Sequence, residues 1–243
     1  MENIEEINPK SYWGLTPLHH AASSGHQSIC ELIIKDIKAK NPNHKHGQVE
    51  EIHTNGSVCA PLHTAAWQGH LSICELIIKN VKDKNPKDKS GKTPLHNAAE
   101  RGHLSICQLI IKNVKNKNPE DKDGLTPLHY AAEQGHLSIC QSIIKNVKNK
   151  NPEDKDGLTP LHYAAKKGYL EICKLIIQNI EEKNPRGRNG VTPSQLAIET
   201  NHFEVLKLFK CLLGASLNIL CSSWEPPRVE KYRFYIGESN FRK

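Results

Sequence analysis

The tetrapeptide Thr-Pro-Leu-His recurs along the chain and constrains its fold more than any other feature. Six copies are recognisable, of which the second is degenerate and the last is divergent; they begin at Thr16, Ala60, Thr93, Thr126, Thr159 and Thr192. From the third copy onward, successive copies lie 33 residues apart. A fixed period of this length indicates a solenoid, in which like units stack on one another because no unit can bury its apolar face alone.

An Asn-Pro dipeptide keeps the same period and sets the boundaries of the units. The dipeptides mark six units, which begin near Asn8, Asn41, Asn85, Asn118, Asn151 and Asn184. We therefore expect a leader of residues 1–7, a repeat domain of residues 8–216 and a tail of residues 217–243, docked or flexible. The first step of the period is longer than the others, which predicts an 11-residue insertion within residues 43–59. The insertion is either a binding loop or an addition without a role.

The fourth unit shows how the local sequence predicts its structure. Thr126 and Pro127 are typical of a helix start, the threonine as the cap and the proline at the first helical position. Gly135 is typical of a left-handed helix end. A second helix starts near His136, with its apolar residues at three-and-four spacing. The polar Asn-Pro and Asp-Gly stretch that follows predicts a projecting hairpin loop.

The pattern D-x-x-G-x-T-P-L-H-x-A-A-x-x-G-H, followed by an apolar helix, resembles the ankyrin repeat. The resemblance covers roughly residues 8–216 and implies an all-α solenoid of stacked helix-turn-helix units with short β-hairpin fingers. It also implies that the TPLH histidines form hydrogen bonds within the corner between loop and helix. One departure concerns the second helix, which in the family ends at a Gly-Ala pair. Here Val114 and Lys115 stand at that place, and because Val114 continues the apolar spacing of Ile106 and Ile110, we expect the helix to run on by about a turn.

The resemblance further implies that a partner protein binds at the finger tips and on the exposed part of the first helices. The finger candidates are Tyr12, Trp13, Lys89, Ser90, Lys92, Lys122, Asp123, Lys155, Asp156, Arg188 and Asn189. The first-helix candidates are Ser23, Ser24, Trp67, Gln68, Glu100, Arg101, Glu133, Gln134, Lys166 and Lys167. Among them Trp67 stands out, because exposed aromatic residues are enriched in binding hot spots. The alternative is that Trp67 packs under the long second finger.

Composition narrows the setting in which the chain works. Among 243 residues there are 33 basic and 26 acidic ones, and no apolar stretch is long enough to span a membrane. The start MENIEEINPK does not resemble a secretory signal, so we expect a cytoplasmic or nuclear protein whose eight cysteines are free thiols. We also expect a monomer, unless the chain belongs to a longer array.

Several patterns invite a chemical role, but each has a structural explanation. The cysteines at the slot of Cys107 recur once per unit, which favours small core residues over zinc ligands or disulfides. Three histidines of the insertion, His44, His46 and His53, form at most a weak metal site. No cofactor, metal or catalytic group is predicted, so we do not expect an enzyme. Lysines crowd the end of each second helix, but no aromatic residue accompanies them, which disfavours a nucleic-acid-binding surface.

Two further predictions concern function and stability. The leading hypothesis is an interaction scaffold or adaptor, and the alternative is a substrate-recognition subunit of a larger enzyme complex such as a ubiquitin ligase. The alternative would need a docking motif in the tail. The fourth second helix carries Ser142 where the others carry Leu32, Leu76, Leu109 or Leu175. We expect that position to be partly buried and the fourth unit to be the weak layer of the stack.

Overall fold

The computed structural model describes residues 9, 11–12, 14–40 and 60–213. The leader of residues 1–7, Trp13, the insertion within residues 43–59 and the tail of residues 217–243 lie outside these described residues. The predictions made for them therefore stay predictions. Within the described part, every unit consists of two antiparallel helices joined by a tight turn.

The two helices of each unit belong to two separate layers. The first helices are short and form one layer: α1 (Pro17–Ser23), α3 (Pro61–Gln68), α5 (Pro94–Arg101), α7 (Pro127–Gln134), α9 (Pro160–Lys167) and α11 (Pro193–Glu199). The second helices form the other: α2 (Gln27–Lys40), α4 (Leu71–Asn80), α6 (Leu104–Asn113), α8 (Leu137–Asn146), α10 (Leu170–Gln178) and α12 (Phe203–Leu213). Each helix packs against its partner and against the matching helix of the next unit, so the layers run the length of the stack.

The core lies between the two layers and repeats with the sequence. In the third unit, Ala98 and Ala99 of α5 are fully buried, and these small side chains let neighbouring first helices approach closely. Ile106, Cys107 and Ile110 of α6 are also buried to 1% exposure or less. The matching residues of the other internal units are buried in the same way. The cysteine slot is thus a core position, as the sequence predicts.

The starts of four first helices, α5, α7, α9 and α11, each receive a hydrogen bond from an asparagine ten residues earlier in the chain. Thr126 precedes α7 in an extended conformation, and Pro127 occupies the first helical position, as predicted. The threonine hydroxyl lies 3.0 Å from Nδ1 of His129, with which Thr126 forms a capping box. The free amide of Leu128 donates to Oδ1 of Asn118, the asparagine of the Asn-Pro dipeptide, at 3.0 Å. Thr126 is therefore the N-cap residue of α7, as predicted, and the asparagine adds a second hydrogen bond to the first turn of the helix.

The second helix of the third unit ends one turn earlier than its apolar spacing predicts. α6 stops at Asn113, and Val114 is already extended, with φ −121° and ψ 153°. Nδ2 of Asn113 donates to the carbonyl oxygen of Leu109 at 2.8 Å and satisfies one of the free carbonyls of the last turn. Val114 still packs against the core from its extended position. The predicted extension of α6 was wrong, because the asparagine ends the helix before the valine.

The fingers are tight turns, and no residue that the structure describes is assigned to a β-strand. In the fourth unit, Asp121 N donates to the carbonyl of Leu125, and Gly124 N donates back to the carbonyl of Asp121. Oδ1 of Asp121 accepts from the amides of Asp123 and Leu125, both at 2.9 Å. Gly124 takes φ +80°, which favours glycine. The fingers of the third, fourth and fifth units are therefore turns anchored by Asp88, Asp121 and Asp154, where the resemblance implied a β-hairpin.

Candidate partner-binding surface

The first-helix candidates form a row across the stack. They occupy the last turn of α1, α3, α5, α7 and α9, and these helices pack side by side. All of these side chains are exposed or half-buried: Ser23, Trp67, Gln68, Glu100, Arg101, Glu133, Gln134, Lys166 and Lys167. Ser24, just after α1, is exposed as well. We call this set, with Ser24, the first-helix row.

Trp67 and Arg101 join two neighbouring units of the row. Cζ of Arg101 lies 4.8 Å from the centroid of the Trp67 ring, within the range of a cation–π interaction. Beside them is an open cavity of about 250 Å³, lined by Ser23, His63, Thr64, Trp67, Gln68 and Asn97. The tryptophan is half-buried, so one part of its ring is fixed and the rest faces solvent. The second finger lies outside the described residues, so the alternative position of Trp67 beneath it is not tested.

The charges of the row are paired unevenly. Glu100 forms an ion pair with Lys92 at 3.0 Å, and Glu133 lies 3.8 Å from Lys167. Both pairs are partly exposed, so each adds little to stability. Among the described residues, Arg101 has no carboxylate partner. The row therefore offers a cation beside an aromatic ring, while its two glutamates are already paired.

The finger candidates lie at the tips of successive turns. All those that the structure describes are exposed, except Lys92, which is half-buried: Tyr12, Lys89, Ser90, Lys122, Asp123, Lys155, Asp156, Arg188 and Asn189. Backbone hydrogen bonds connect neighbouring fingers, for example from Lys122 N to the carbonyl of Ser90 at 3.0 Å. Nζ of Lys92 bonds Glu100 and lies 4.2 Å from the centroid of the Tyr130 ring. Lys92 thus links the third finger to the first-helix row and to the fourth unit.

The histidines of the TPLH motif connect the second, third, fourth and fifth units each to the unit that follows. Nδ1 of His96 accepts from the amide of Thr93 at 3.0 Å, and Nε2 donates to the carbonyl oxygen of Leu125 in the following unit at 3.1 Å. Burial lowers the pKa of His96 from 6.5 to about 4 and has the same effect on His129. These histidines are therefore neutral structural groups, which confirms the bonding that the family resemblance implied.

A second set of histidines was not recognised in the sequence as a connection between units. His103 precedes α6, and its Nε2 lies 3.1 Å from the carbonyl oxygen of Trp67 in the preceding unit. Its ring also lies against Gly69, where an added Cβ would come within 2.6 Å of Cε1. His70 and His136 lie 3.1 and 3.3 Å from the carbonyls of Ser23 and Glu100 in the same way. Their recurrence once per unit was the signal that could have indicated this role.

The cysteines of the core are inert. Burial raises the pKa of Cys107 to about 12, so the side chain stays a thiol at neutral pH. Cys74, Cys140 and Cys173 are equally buried and have similarly raised pKa values. Within the residues that the structure describes, no group of three or more histidine, cysteine or carboxylate side chains could hold a metal ion.

The period and the helix pairs are those of a known sequence family. A sequence model for ankyrin repeats matches the chain in three overlapping copies, at residues 2–88, 62–154 and 139–220. The chain belongs to the ankyrin-repeat family. A search among curated proteins found no match to this sequence.

Membership of this family indicates a general class of function. Ankyrin repeats are generally protein-interaction modules, and ankyrin-repeat proteins are typically non-enzymatic scaffolds. In the part of the chain that the structure describes, no helix is both long and apolar enough to cross a membrane.

Proposed function

We propose that this ankyrin-repeat protein is a scaffold or adaptor that holds a partner protein against its finger tips and its first-helix row. The observation that carries the proposal is the contact between Trp67 and Arg101 beside an open cavity. The proposal also places the protein in the cytoplasm, as a monomer that uses no cofactor.

The proposal centres on the second and third units because their exposed groups suit an interface. A tryptophan offers a large contact area at low entropic cost, and arginine accompanies it among the residues enriched in hot spots. Packing against the ring restrains the Arg101 side chain before a partner arrives, which reduces the entropy lost on binding. The cavity beside them can accept a side chain of the partner.

The remaining candidates give the row its specificity. Glu133 and Gln134 in the fourth unit and Lys166 and Lys167 in the fifth extend the row with a different charge at each step. A partner must match this order of charges along the stack, because like charges placed opposite each other are unfavourable. The exposed finger lysines, such as Lys122 and Lys155, add a second line of contact.

Proximity labelling in cells with the intact chain tests the proposal. Replacing Trp67 with alanine should remove a hot spot worth about 2 kcal/mol or more, which weakens binding by roughly 30-fold. Arg101→Ala should give a smaller loss of the same labelled protein. Glu75→Ala is the matched control, because Glu75 is an exposed residue of the same unit outside the row.

The proposal predicts that at least one cellular protein is labelled by the unmodified chain and by the Glu75→Ala variant. The Trp67→Ala variant should not label that protein. Thermal unfolding of the purified variants checks that each stays folded. If a neighbour is labelled equally by all variants, and deletion of residues 44–54 also leaves it labelled, the partner does not bind at this surface.

A further inference from the structure

A second charged surface lies at the ends of the second helices of units two to four. We call it the lysine ridge; its members are Lys79, Lys82, Lys84, Lys112, Lys115, Lys117, Lys145, Lys148 and Lys150. Within the three stretches 79–84, 112–117 and 145–150, Asp83 is the sole acidic residue. In the fifth unit, Glu181 stands at the position of Lys82, so the ridge ends there. The ridge shares no residue with the first-helix row or the finger tips.

Three of the ridge lysines are part of the frame of the stack. Nζ of Lys117 donates to Oδ1 of Asn146 in the next unit at 3.3 Å, and Lys84 and Lys150 make the same bond to Asn113 and Asn179. Nδ2 of each asparagine bonds a carbonyl in the last turn of its own helix, as in the pair Asn146 and Ser142 at 2.8 Å. These bonds fix the spacing of the ridge from one unit to the next.

The other six lysines are not used by the fold. All of them are exposed, and none takes part in an ion pair among the described residues: Lys79, Lys82, Lys112, Lys115, Lys145 and Lys148. Each second helix presents about half a negative charge at its C-terminal end. Three helix ends offset less than two of the six positive charges, so a net positive surface remains.

Between the third and fourth units the ridge borders a groove. Its cavity volume is about 520 Å³, and its lining includes Lys115, Lys117 and Lys148, the amides Asn116 and Asn149, and one carboxylate, Glu120. Amine and amide groups can both donate hydrogen bonds to an oxyanion. The groove therefore gives an elongated anionic ligand a place to lie, which a flat charged surface would not.

We infer that the lysine ridge binds an acidic polypeptide segment, at a surface separate from the proposed partner site. Neighbouring packed helices are roughly 8–10 Å apart, and an extended chain rises about 3.3 Å per residue. A segment with a carboxylate at every third residue would therefore place one carboxylate at each unit. Three units of the ridge correspond to about seven residues of such a segment.

The composition of the ridge favours a peptide over the other polyanions. The ridge contains neither arginine nor an aromatic residue, which nucleic-acid surfaces commonly use for bidentate contacts and base stacking. The large exposed apolar side chains of the described residues, such as Leu32, Leu71 and Phe203, all lie outside the ridge stretches. An amphipathic membrane surface would need such side chains beside its lysines.

The test uses a fluorescent peptide with the sequence Glu-Gly-Ser repeated six times and its Gln-Gly-Ser counterpart. Anisotropy measures binding to the full chain at about 0.15 M salt, where weak long-range attraction is screened. The ridge variant carries Lys82→Glu, Lys115→Glu and Lys148→Glu. The matched control carries Lys89→Glu, Lys122→Glu and Lys155→Glu at the finger tips, with the same spacing, similar exposure and the same change in net charge.

We expect the acidic peptide to bind the unmodified chain, the neutral peptide not to bind, and the ridge variant to lose at least tenfold in affinity. The finger control should stay within threefold. Equal losses in both variants would mean that net charge alone attracts the peptide, and would overturn the inference. So would tighter ridge-dependent binding to a DNA duplex or to phosphatidylserine vesicles than to the peptide. Because the ridge variant changes no residue of the proposed partner site, its failure to lose the peptide is distinct from failure of the proposed function.

Discussion

The third and fourth units, residues 85–117 and 118–150, have almost the same sequence. Some of the substitutions between them leave the structure unchanged, and others change the hydrogen bonds. Their second helices α6 and α8 read LSICQLIIKN and LSICQSIIKN, so they differ only at Leu109 and Ser142. The two helices have the same length, the same extended residue after the end and the same buried isoleucines and cysteine. A change at a half-buried position thus leaves the helix geometry unaltered.

The first helices α5 and α7 differ more, and the difference reaches the fingers. The hydroxyl of Tyr130 in α7 donates to Oδ2 of Asp121 at 2.9 Å, and its ring meets the edge of His96 at a centroid distance of 5.7 Å. Asn97 stands at the same position in α5, and its Nδ2 donates to the carbonyl of His63 at 3.2 Å. In the fourth unit, Tyr130 therefore bonds the finger of its own unit. In the third unit, Asn97 at the same position bonds the second unit instead.

The residues of the two units fall into a shared structural frame and a set of variable side chains. The frame consists of the Thr–His pair, the left-handed glycine and the Asn caps, and both units keep all of them. Side chains that vary, such as Asn97 and Tyr130, decide how each unit attaches to its finger or its neighbour. Four predictions test this distinction between frame residues and variable residues, and they follow in order of decreasing expected effect.

Acid should lower the stability of the third and fourth units equally, because both contain a buried neutral histidine. Because burial holds the pKa of His96 and His129 at about 4 and an unfolded histidine has a pKa near 6.5, the unfolded chain binds more protons between these values. Stability is therefore complete above pH 6.5 and falls as the pH drops toward 4, by about 1.4 kcal/mol per pH unit for each histidine. Urea unfolding at several pH values measures the slope.

NMR titration of the imidazole signals assigns the effect to individual units. His96 and His129 should titrate together, well below pH 6.5, the ordinary pKa of histidine. A difference of more than one pH unit between the two would contradict a common frame.

Removing either frame histidine should have a large and similar cost. In His129→Ala the amide of Thr126 and the carbonyl of Leu158 lose their buried partner, and His96→Ala leaves two matching groups unpaired. With about 1–3 kcal/mol for each unpaired group, the free energy of unfolding should fall by roughly 3 kcal/mol in each variant. Chemical denaturation of the two variants side by side is the measurement. Markedly unequal losses would show that the two units do not share one frame.

The sequence predicted much of this frame because its signals are local and repeat. The Pro start and the Gly end of the first helix could be read within one unit, and the period and the buried cysteine slot by comparing successive units. The helix end at Asn113 could not, because Val114 has the same apolar spacing whether it is helical or extended. Likewise, the bond from Leu128 to Asn118 joins residues ten positions apart, which a pattern of apolar residues does not show.

The candidate binding surface was predicted as a set of positions, and its geometry needed the stack. Trp67 and Arg101 are 34 residues apart in the sequence, and only the packing of α3 against α5 places guanidinium over ring. The ion pair that engages Lys92 with Glu100 also depends on how the finger folds back over the helix. Which of these residues bind a partner stays a prediction.

A tyrosine-to-phenylalanine change should show how much the bond between helix and finger stabilises the fourth unit. Tyr130→Phe removes the hydroxyl bond to Asp121, while the ring can keep its contacts with His96 and Lys92. A hydrogen bond to a charged group contributes about 1.5–3 kcal/mol, and since Asp121 is half-buried, a loss near the lower value is expected. The free energy of unfolding measures it. Tyr163→Phe in the fifth unit removes a hydrogen bond of 2.7 Å to Asp154, which is buried, so its loss should be equal or larger. No loss in either variant would mean that water replaces the hydroxyl.

The smallest effect concerns the one difference between α6 and α8. Ser142 is half-buried, as predicted, and so is Leu109 at the same position of the third unit. Leu109 packs against the core, so Ser142→Leu should gain part of the apolar burial that the fourth unit lacks. Full burial of a leucine side chain is worth about 1.5–3 kcal/mol, and half-burial suggests roughly 1 kcal/mol.

The reverse change, Leu109→Ser, is the matched control and should destabilise the third unit by a similar amount. In a stack where each unit contacts only its neighbours, the weakest layer is where unfolding divides into two blocks. Ser142→Leu should therefore raise the unfolding midpoint and sharpen the transition, while Leu109→Ser should lower and broaden it. Calorimetry measures the midpoint directly and the sharpness of the transition through the ratio of the van't Hoff to the calorimetric enthalpy. If Ser142→Leu is neutral while Leu109→Ser destabilises, the outer face of α8 is not equivalent to that of α6, and the fourth unit is not a weak layer.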